Sequence, residues 1–343
     1  MIGTVRGWLV CAVLVAGVWS WAGICLAGGT VEEPPRKRRF VLRYAAGVRQ
    51  IPPGTRVRLW IPLWLDTPYQ QLHALSVRSR HRFHLTRDPR YGNQMLYTSA
   101  SVSDAGPLVQ IELELTRSEV RKLLAGERAR QGDGRRVEPL MPQLRRLFLS
   151  PARLVPVGGP ALKLLKNIPS DGDRLELARA LYRTVLDHMS YRKVGTGWGR
   201  GSVEWACTAG YGNCTDFHSL FMAMTRYYGI PTKFVIGFPL PEERGSGSIA
   251  GYHCWAYFYD DMLGWVPVDI SEADKHPELA EYYFGNLTEN RVALSVGRDI
   301  PLDPPAATGP LNYFVYPHVE INGRAADRRQ VWWQVEFRDL DRP

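Results

Sequence analysis

One stretch of this chain constrains everything around it. Phe217, Leu220, Phe221, Met224, Tyr227 and Tyr228 recur at three- and four-residue steps, which gathers them on one face of a helix. The block Gly212-Asn213-Cys214-Thr215-Asp216-Phe217-His218 opens that helix. Gly229-Ile230-Pro231 closes it, with glycine as the stop and proline just beyond. It reads as a buried helix. Strand-like segments follow at residues 233–238, 252–259 and 265–270, the first two separated by a Gly/Pro/Ser-rich loop at 239–251 that borders a histidine strand and is expected to shape a cleft.

Cys214 stands where helix physics favours its thiolate. First-turn amides lack intrahelical partners and carry partial positive charge. They lower the energy of a thiolate and of an oxyanion formed beside the sulfur. Downstream, Tyr252-His253-Cys254-Trp255 places a histidine at the start of a strand. Alternation puts His253, Trp255 and Tyr257 on one face and turns Cys254 and Ala256 to the other. Asp260-Asp261-Met262-Leu263-Gly264 makes a short hairpin connection into Gly264-Trp265-Val266-Pro267-Val268-Asp269. Asp269 therefore returns antiparallel toward His253, where a carboxylate fixes the imidazole tautomer and stabilises the imidazolium. Taken alone, each is ordinary: a buried thiol, a core histidine, a turn aspartate. Together Cys214, His253 and Asp269 make a thiolate–imidazolium–carboxylate set for acyl transfer on amides or esters.

The 343 residues suffice for two domains, and the composition, 45% hydrophobic and 22% charged, excludes a disordered or fibrous chain. Residues 1–27 read as a signal peptide: Arg6 is the positive n-region, residues 8–24 carry no charge, and Cys25-Leu26-Ala27 offers a cleavage site. The uncharged run at 7–31 is also long enough to span a bilayer, so an uncleaved anchor is the alternative. Either way the globular part is expected to be exported, to the periplasm or outside the cell. Cleavage after Ala27 leaves Cys207, Cys214 and Cys254. In an oxidising compartment three thiols divide naturally into one disulfide and one free nucleophile. We therefore expect Cys207 and Cys254 to pair behind the site; a small buried hydrophobe is the other reading of Cys254. The formal net charge of +9 has its basic residues clustered at 36–39 and 117–146. That pattern reads first as a solvated face, and admits an anionic cell-envelope polymer or membrane surface as partner. No nucleic-acid motif is present.

The organisation divides at a proline- and arginine-rich stretch. Residues 36–116 alternate apolar with polar residues in several segments, the pattern of a small β-sandwich-like domain. A short helix is expected at 118–126, within a basic linker at 117–160. Residues 161–343 would form the catalytic domain. A helix at 171–189 carries the stripe Leu175, Ala178, Leu181, Tyr182, Val185 and Met189, with Ser170 and Asp173 at capping-box spacing. Residues 195–212 read as a loop.

These parts, in this order, resemble the transglutaminase-like superfamily, whose core is papain-like. The resemblance rests on Gly212 to Phe221, Arg226, Gly229-Ile230-Pro231, Gly251-Tyr252-His253-Cys254-Trp255 and Gly264 to Asp269. The spacings, 39 residues (214 to 253) and 16 residues (253 to 269), are ordinary for that family, and the exported bacterial branch is the most similar. It implies an α+β fold in which the nucleophile helix packs on an antiparallel sheet. It also implies Cys214 as nucleophile, His253 as general base then acid, and Asp269 as orienter. A thioacyl-enzyme would be resolved by water or an amine on a peptide or protein substrate. No cofactor and no calcium requirement follow. Some members have lost catalysis, so an inactive binding module of the cell envelope is the alternative.

The second oxyanion donor is expected among Trp198, Trp205 and Tyr211, which precede the cysteine, with Trp205 preferred; these residues and Trp255 otherwise line the cleft. Cys207, Cys214, His218 and Cys254 make a zinc set on paper, but without any C-x-x-C pair, and no metal is expected. Asn213-Cys214-Thr215 and Asn286-Leu287-Thr288 match the glycosylation pattern.

Overall fold

The computed structural model describes residues 33–103, 105–123, 137–166, 168 and 173–340. The expected signal segment, Ser170 and most of the basic stretch at 124–136 lie outside them. Residues 35–343 cluster as one compact unit. The N-terminal region supplies β1 (Lys37–Val48), β2 (Thr55–Pro62), β3 (Gln70–Ser79), β4 (Phe83–Arg87), β5 (Gln94–Val102) and β6 (Gly106–Ser118). Helices α1 (Pro142–Leu149), α2 (Arg174–His188), α3 (Val203–Ala209) and α4 (Cys214–Tyr227) follow. Next come β7 (Thr232–Pro239), β8 (Ser246–Ser248), β9 (His253–Asp260), β10 (Gly264–Val268), α5 (Ile270–Lys275) and β11 (Arg291–Val296). Last are β12 (His318–Ile321), β13 (Arg324–Ala325) and β14 (Val331–Asp339).

Three antiparallel sheets result, in the orders β8-β14-β1-β6-β3, β13-β12-β2-β5-β4 and β10-β9-β7-β11. The first two are the expected β-sandwich, but they are not built from residues 36–116 alone. Phe40 of β1 pairs with Asp339 of β14, and Leu59 of β2 pairs with Val319 of β12. An unpaired sheet edge leaves backbone groups unsatisfied, and the C-terminal strands satisfy them. The division at 117–160 is therefore no domain boundary in the fold: residues 318–339 belong to the sandwich. The loop at 239–251 is tied down in the same way, because β8 pairs with β14.

The third sheet carries α4 on one face. Cys254, Ala256 and Phe258 of β9 join Phe217, Leu220, Phe221 and Met224 in one buried cluster. Trp255 and Tyr257 point the other way, into a separate cluster with Val235 and Ala293. This is the α+β, nucleophile-helix-on-sheet architecture expected from the sequence. Every residue of α4 from Cys214 to Arg226 is buried. Arg226 is held by the carbonyls of Ser150 and Thr232, at 2.8 Å each. Helix α2 begins at Asp173, whose carboxylate accepts from the Leu175 N–H at 2.9 Å.

Two local expectations change. Residues 203–209, read as loop, form α3: Ser202 caps it by accepting from Trp205 N–H, Glu204 lies in its first turn, and Gly210 ends it in the left-handed region at φ 65°. Of the expected helix 118–126, Val120–Arg121 instead pairs as a strand with Asn286–Leu287, residues 122–123 are helical, and residues 124–126 lie outside the described set. The basic run 36–39 is not a plain solvated face either. Arg36 pairs with Glu119, Arg38 with Asp339 and Arg39 with Glu114, and Arg38 is buried. Among the described residues no helix is long and apolar enough to cross a membrane.

Candidate active site

Asn213 caps α4, accepting from Thr215 N–H at 3.0 Å, and Asp216 completes the capping box from the third helical position. Asp216 does more than cap. Its buried carboxylate accepts backbone N–H groups of Gly199 at 2.6 Å, Gly201 at 2.9 Å and Asn213 at 3.0 Å. Burial raises its pKa although these three donors oppose the shift, and the Cys214 charge adds to the rise. The loop before α3 is thus fastened to the first turn of α4. Gly212 passes so close that a Cβ there would fall on the Asp216 carboxylate.

Cys214 is the first residue of α4 and is 1% exposed. Burial pushes its thiol up. Side-chain hydrogen bonds with Cys254 and His253, and the positive charge of His253, outweigh that and hold it well below the usual thiol range. His253 opens β9 and is 6% exposed. Its Nε2 lies 2.7 Å from Asp269 Oδ2, which leaves Nδ1 for the thiol side. Burial opposes the imidazolium, but the Asp269 carboxylate and then Cys214 push the His253 pKa up to about 10. The pair is therefore a thiolate and an imidazolium at neutral pH.

Asp269 is wholly buried at the N-cap of α5. Its Oδ1 accepts from Ser271 Oγ at 3.1 Å and from Glu272 N–H at 3.2 Å. Its Oδ2 accepts from Arg291 Nη1 at 2.7 Å as well as from His253. Burial raises its pKa, and the charges of His253 and Arg291 override that and hold it well below the carboxylate range. The hairpin that brings it there is antiparallel, as expected, with Ala256 opposite Val268.

Four residues were not singled out for these roles by sequence reasoning. Arg291, from β11, anchors Asp269 from the side opposite His253. His218, one turn along α4, bridges the parts: its Nδ1 lies 2.7 Å from the Cys214 carbonyl, and its Nε2 accepts from Ile270 N–H at 3.1 Å. Those two bonds assign the proton to Nδ1 and keep this imidazole neutral; burial lowers its pKa accordingly. The Tyr252 hydroxyl accepts from Asn213 Nδ2 at 2.8 Å and shares a hydrogen bond of 2.8 Å with Thr215 Oγ1. Tyr191, half-buried, has its hydroxyl pKa raised by burial and then by the nearby Cys214 charge. His218 was legible as the residue four along from Cys214. Arg291 carried no sequence signal, since its role exists only once β11 joins the sheet.

The expected oxyanion donors are placed differently. Trp205 Nε1 donates to Tyr211 O at 3.2 Å and Trp198 Nε1 to Gly195 O at 3.1 Å, so both indoles are committed to holding loop backbone. Tyr211 packs edge-on against Trp205. Trp255 lies on the sheet face away from α4. The expected disulfide is not formed. Cys207 and Cys254 are both free thiols, because the strand alternation that turns Cys254 from His253 turns it toward α4, against Thr215, His218 and Cys214. The four-residue zinc set does not assemble: among the described residues the one cluster of metal-ligand geometry is His253, Asp269 and Glu272, which shares His253 and Asp269 with the triad and contains none of the cysteines. Both asparagines of the glycosylation pattern are buried.

Residues 163–270, a span that includes all three triad positions, match the model of the transglutaminase-like superfamily. A solved structure named "Putative Cysteine Protease", from Cytophaga hutchinsonii, shares the fold with a TM-score of 0.58, at 15% identity over 90% of this chain and 92% of its own. The periplasmic domain of TgpA from Pseudomonas aeruginosa is a more distant likeness, with a TM-score of 0.36 and 14% identity over 71% of this chain and 90% of that one. A protein of Haemophilus influenzae, named "Uncharacterized protein", is 24% identical over 313 residues, 80% of this chain and 83% of its own length.

Proposed function

We propose that this chain, whose residues 163–270 belong to the transglutaminase-like superfamily, is an exported cysteine enzyme that transfers or hydrolyses acyl groups of peptide or protein amides. The observation that carries the reading is the buried Cys214–His253–Asp269 arrangement, with its thiol held below and its imidazole above their ordinary pKa values. Export is supported by the uncharged stretch at residues 8–24.

The steps follow from the geometry. The Cys214 thiolate attacks the amide carbonyl carbon and forms a C–S bond while the carbonyl π electrons move to oxygen. The Cys214 backbone N–H, at the first position of α4, faces that oxyanion. We assign the second donor to the Tyr191 hydroxyl, since the two indoles considered from sequence are committed elsewhere. Collapse breaks the C–N bond, and the His253 imidazolium gives its proton to the leaving amine. Neutral His253 then removes a proton from water or a second amine, which attacks the thioester and releases Cys214. Asp269, pinned by Arg291 and its own helix cap, keeps the imidazole in one orientation throughout.

Purified protein incubated with glutamine-containing peptides, with and without a primary amine, tests the reading by mass spectrometry. A mass gain by the amine identifies a transferase, and a cut peptide a hydrolase. Absence of both products, together with failure of a thiol-directed acyl trap to label Cys214, overturns it in favour of a binding module.

A further inference from the structure

The face of the β10-β9-β7-β11 sheet turned away from Cys214 roofs a second concavity. Its cavity is about 360 Å³, within the range of small-molecule sites. Trp265, Tyr257, Val235 and Leu144 make its walls apolar. Yet Arg117, Lys122 and Lys233 also line it, and among the described residues none of the three makes an ion pair. Among the described residues Glu138, exposed, is the one acidic side chain of the lining.

Arg117 is the most telling of these. It lies on β6, is 1% exposed, and both Nε and Nη2 lack any hydrogen-bond partner. Burial lowers its pKa and the nearby Arg291 adds to that, while the Tyr257 and Tyr69 hydroxyls oppose the shift without supplying a carboxylate. A buried guanidinium with two idle donors is a costly arrangement unless an anion completes it. Lys233 stands 4.3 Å from the ring centre of Trp265 and 5.0 Å from that of Tyr257, so its ammonium is caged by π faces with no carboxylate. Burial and the Lys122 charge push its pKa down to about 8. Among the described residues the Lys122 ammonium donates to the Leu263 carbonyl, at 3.3 Å. The indole N–H of Trp255, which lines the same cavity, is also buried without a partner.

Cations gathered at an apolar, aromatic cavity ask for a ligand with both characters. We infer that this cavity is a binding site for an amphiphilic oxyanion, a carboxylate or phosphate monoester head on a medium-length apolar body, with its head on Arg117, Lys122 and Lys233 and its body against Trp265, Tyr257 and Leu144. The site is distinct from the triad: Trp255 separates them, its ring 5.1 Å from the guanidinium carbon of Arg291. The inference does not rest on catalysis at Cys214.

Titration calorimetry of the full chain tests it, with decanoate, decyl phosphate, decanol and decyltrimethylammonium, each below its micelle concentration. At least one anion binds saturably with one site per chain, and the alcohol and the cation bind at least tenfold more weakly. The tighter anion identifies the head group. Lys233→Gln, and Lys122→Gln as an independent variant, each weaken anion binding about tenfold, the loss of one charge-assisted hydrogen bond. Arg117→Gln weakens it more, and its melting curve checks that the sandwich still folds. Failure of both anions to bind the folded protein overturns the inference. So does decanol binding as tightly as decanoate, or unchanged anion affinity in both lysine variants.

Discussion

Opposing forces act on single residues at the triad. Burial alone would leave Cys214 a neutral thiol and His253 a neutral imidazole; their mutual attraction and the Asp269 carboxylate reverse both. Asp269→Asn removes the group that stabilises the imidazolium and leaves Arg291 facing an amide. Turnover is expected to fall about 10²-fold, less than the roughly 10⁴-fold of the serine-protease case because a thiol needs less help from its base. Steady-state kinetics on the folded variant check this, and an unchanged turnover number removes Asp269 from the triad. Tyr191→Phe deletes one oxyanion donor and is expected to cost about 10²-fold in kcat with little change in KM. Equal turnover in that variant leaves the oxyanion to backbone alone. The sign of the pH response follows from the same pair. Activity appears as pH rises through the depressed thiol pKa and is lost as pH rises through about 10, where His253 gives up its proton.

At the scale of elements, α4 is positioned by its own first turn. The Asp216 carboxylate ties the cap and the loop at 199–201 together by accepting their backbone N–H groups, with Gly212 packed against it. Gly212→Ala places a methyl on that carboxylate. The cost is expected to be about 1–3 kcal/mol, read as a lowered Tm, with a larger loss of activity because Cys214 moves with the cap. A variant that melts like the parent shows that this packing relaxes freely. Here the sequence was most legible, because helix and hairpin are local: apolar steps along α4 and a short turn from β9 to β10 set the faces on which Cys214, His253 and Asp269 stand, although α4 must still pack on the sheet and Arg291 must reach Asp269. Helix α3 was missed because its seven residues are too few for a periodic stripe, although Ser202 and Gly210 marked its ends. Trp198 and Trp205 looked like donors because sequence shows an indole N–H but not the carbonyl that takes it.

Long-range pairing shapes the whole molecule, and sequence showed least of it. Nothing in the local pattern of residues 318–339 says that they complete sheets begun nearly three hundred positions earlier. The consequence is that residues 161–343 are not an independent catalytic domain. Expressed alone, that fragment is expected to lack a cooperative melt, since β12 and β14 lose their partners; a cooperative transition in the fragment contradicts the shared-sheet account. Glu119 joins the end of the sandwich to the rest. It is 3% exposed and bonded by Arg36, Arg121 and Tyr282. Burial raises its pKa, and those donors more than compensate, bringing it down from 4.5 to about 2. A depressed carboxylate contributes stability that is present above its unfolded value and lost as pH falls toward its folded one. Melting temperature should therefore drop between about pH 4.5 and 2, and less steeply in Glu119→Gln. Equal slopes in the two proteins assign acid lability elsewhere.

The central claim is that Cys214 is a thiolate at neutral pH, and it can be measured without knowing the substrate. Alkylation by iodoacetamide, followed at each cysteine by peptide mass spectrometry from pH 5 to 10, reports the thiolate fractions of Cys207, Cys214 and Cys254 at once. The account predicts that Cys214 reacts first and is already near its plateau rate at pH 6 to 7. Cys207, whose pKa is pushed up to about 11 by burial, and Cys254, raised well above the usual thiol range by burial and by Cys214, should remain slow. A Cys214 rate that climbs only above pH 8, in step with an ordinary thiol, would contradict the thiolate–imidazolium pair on which the proposed function stands.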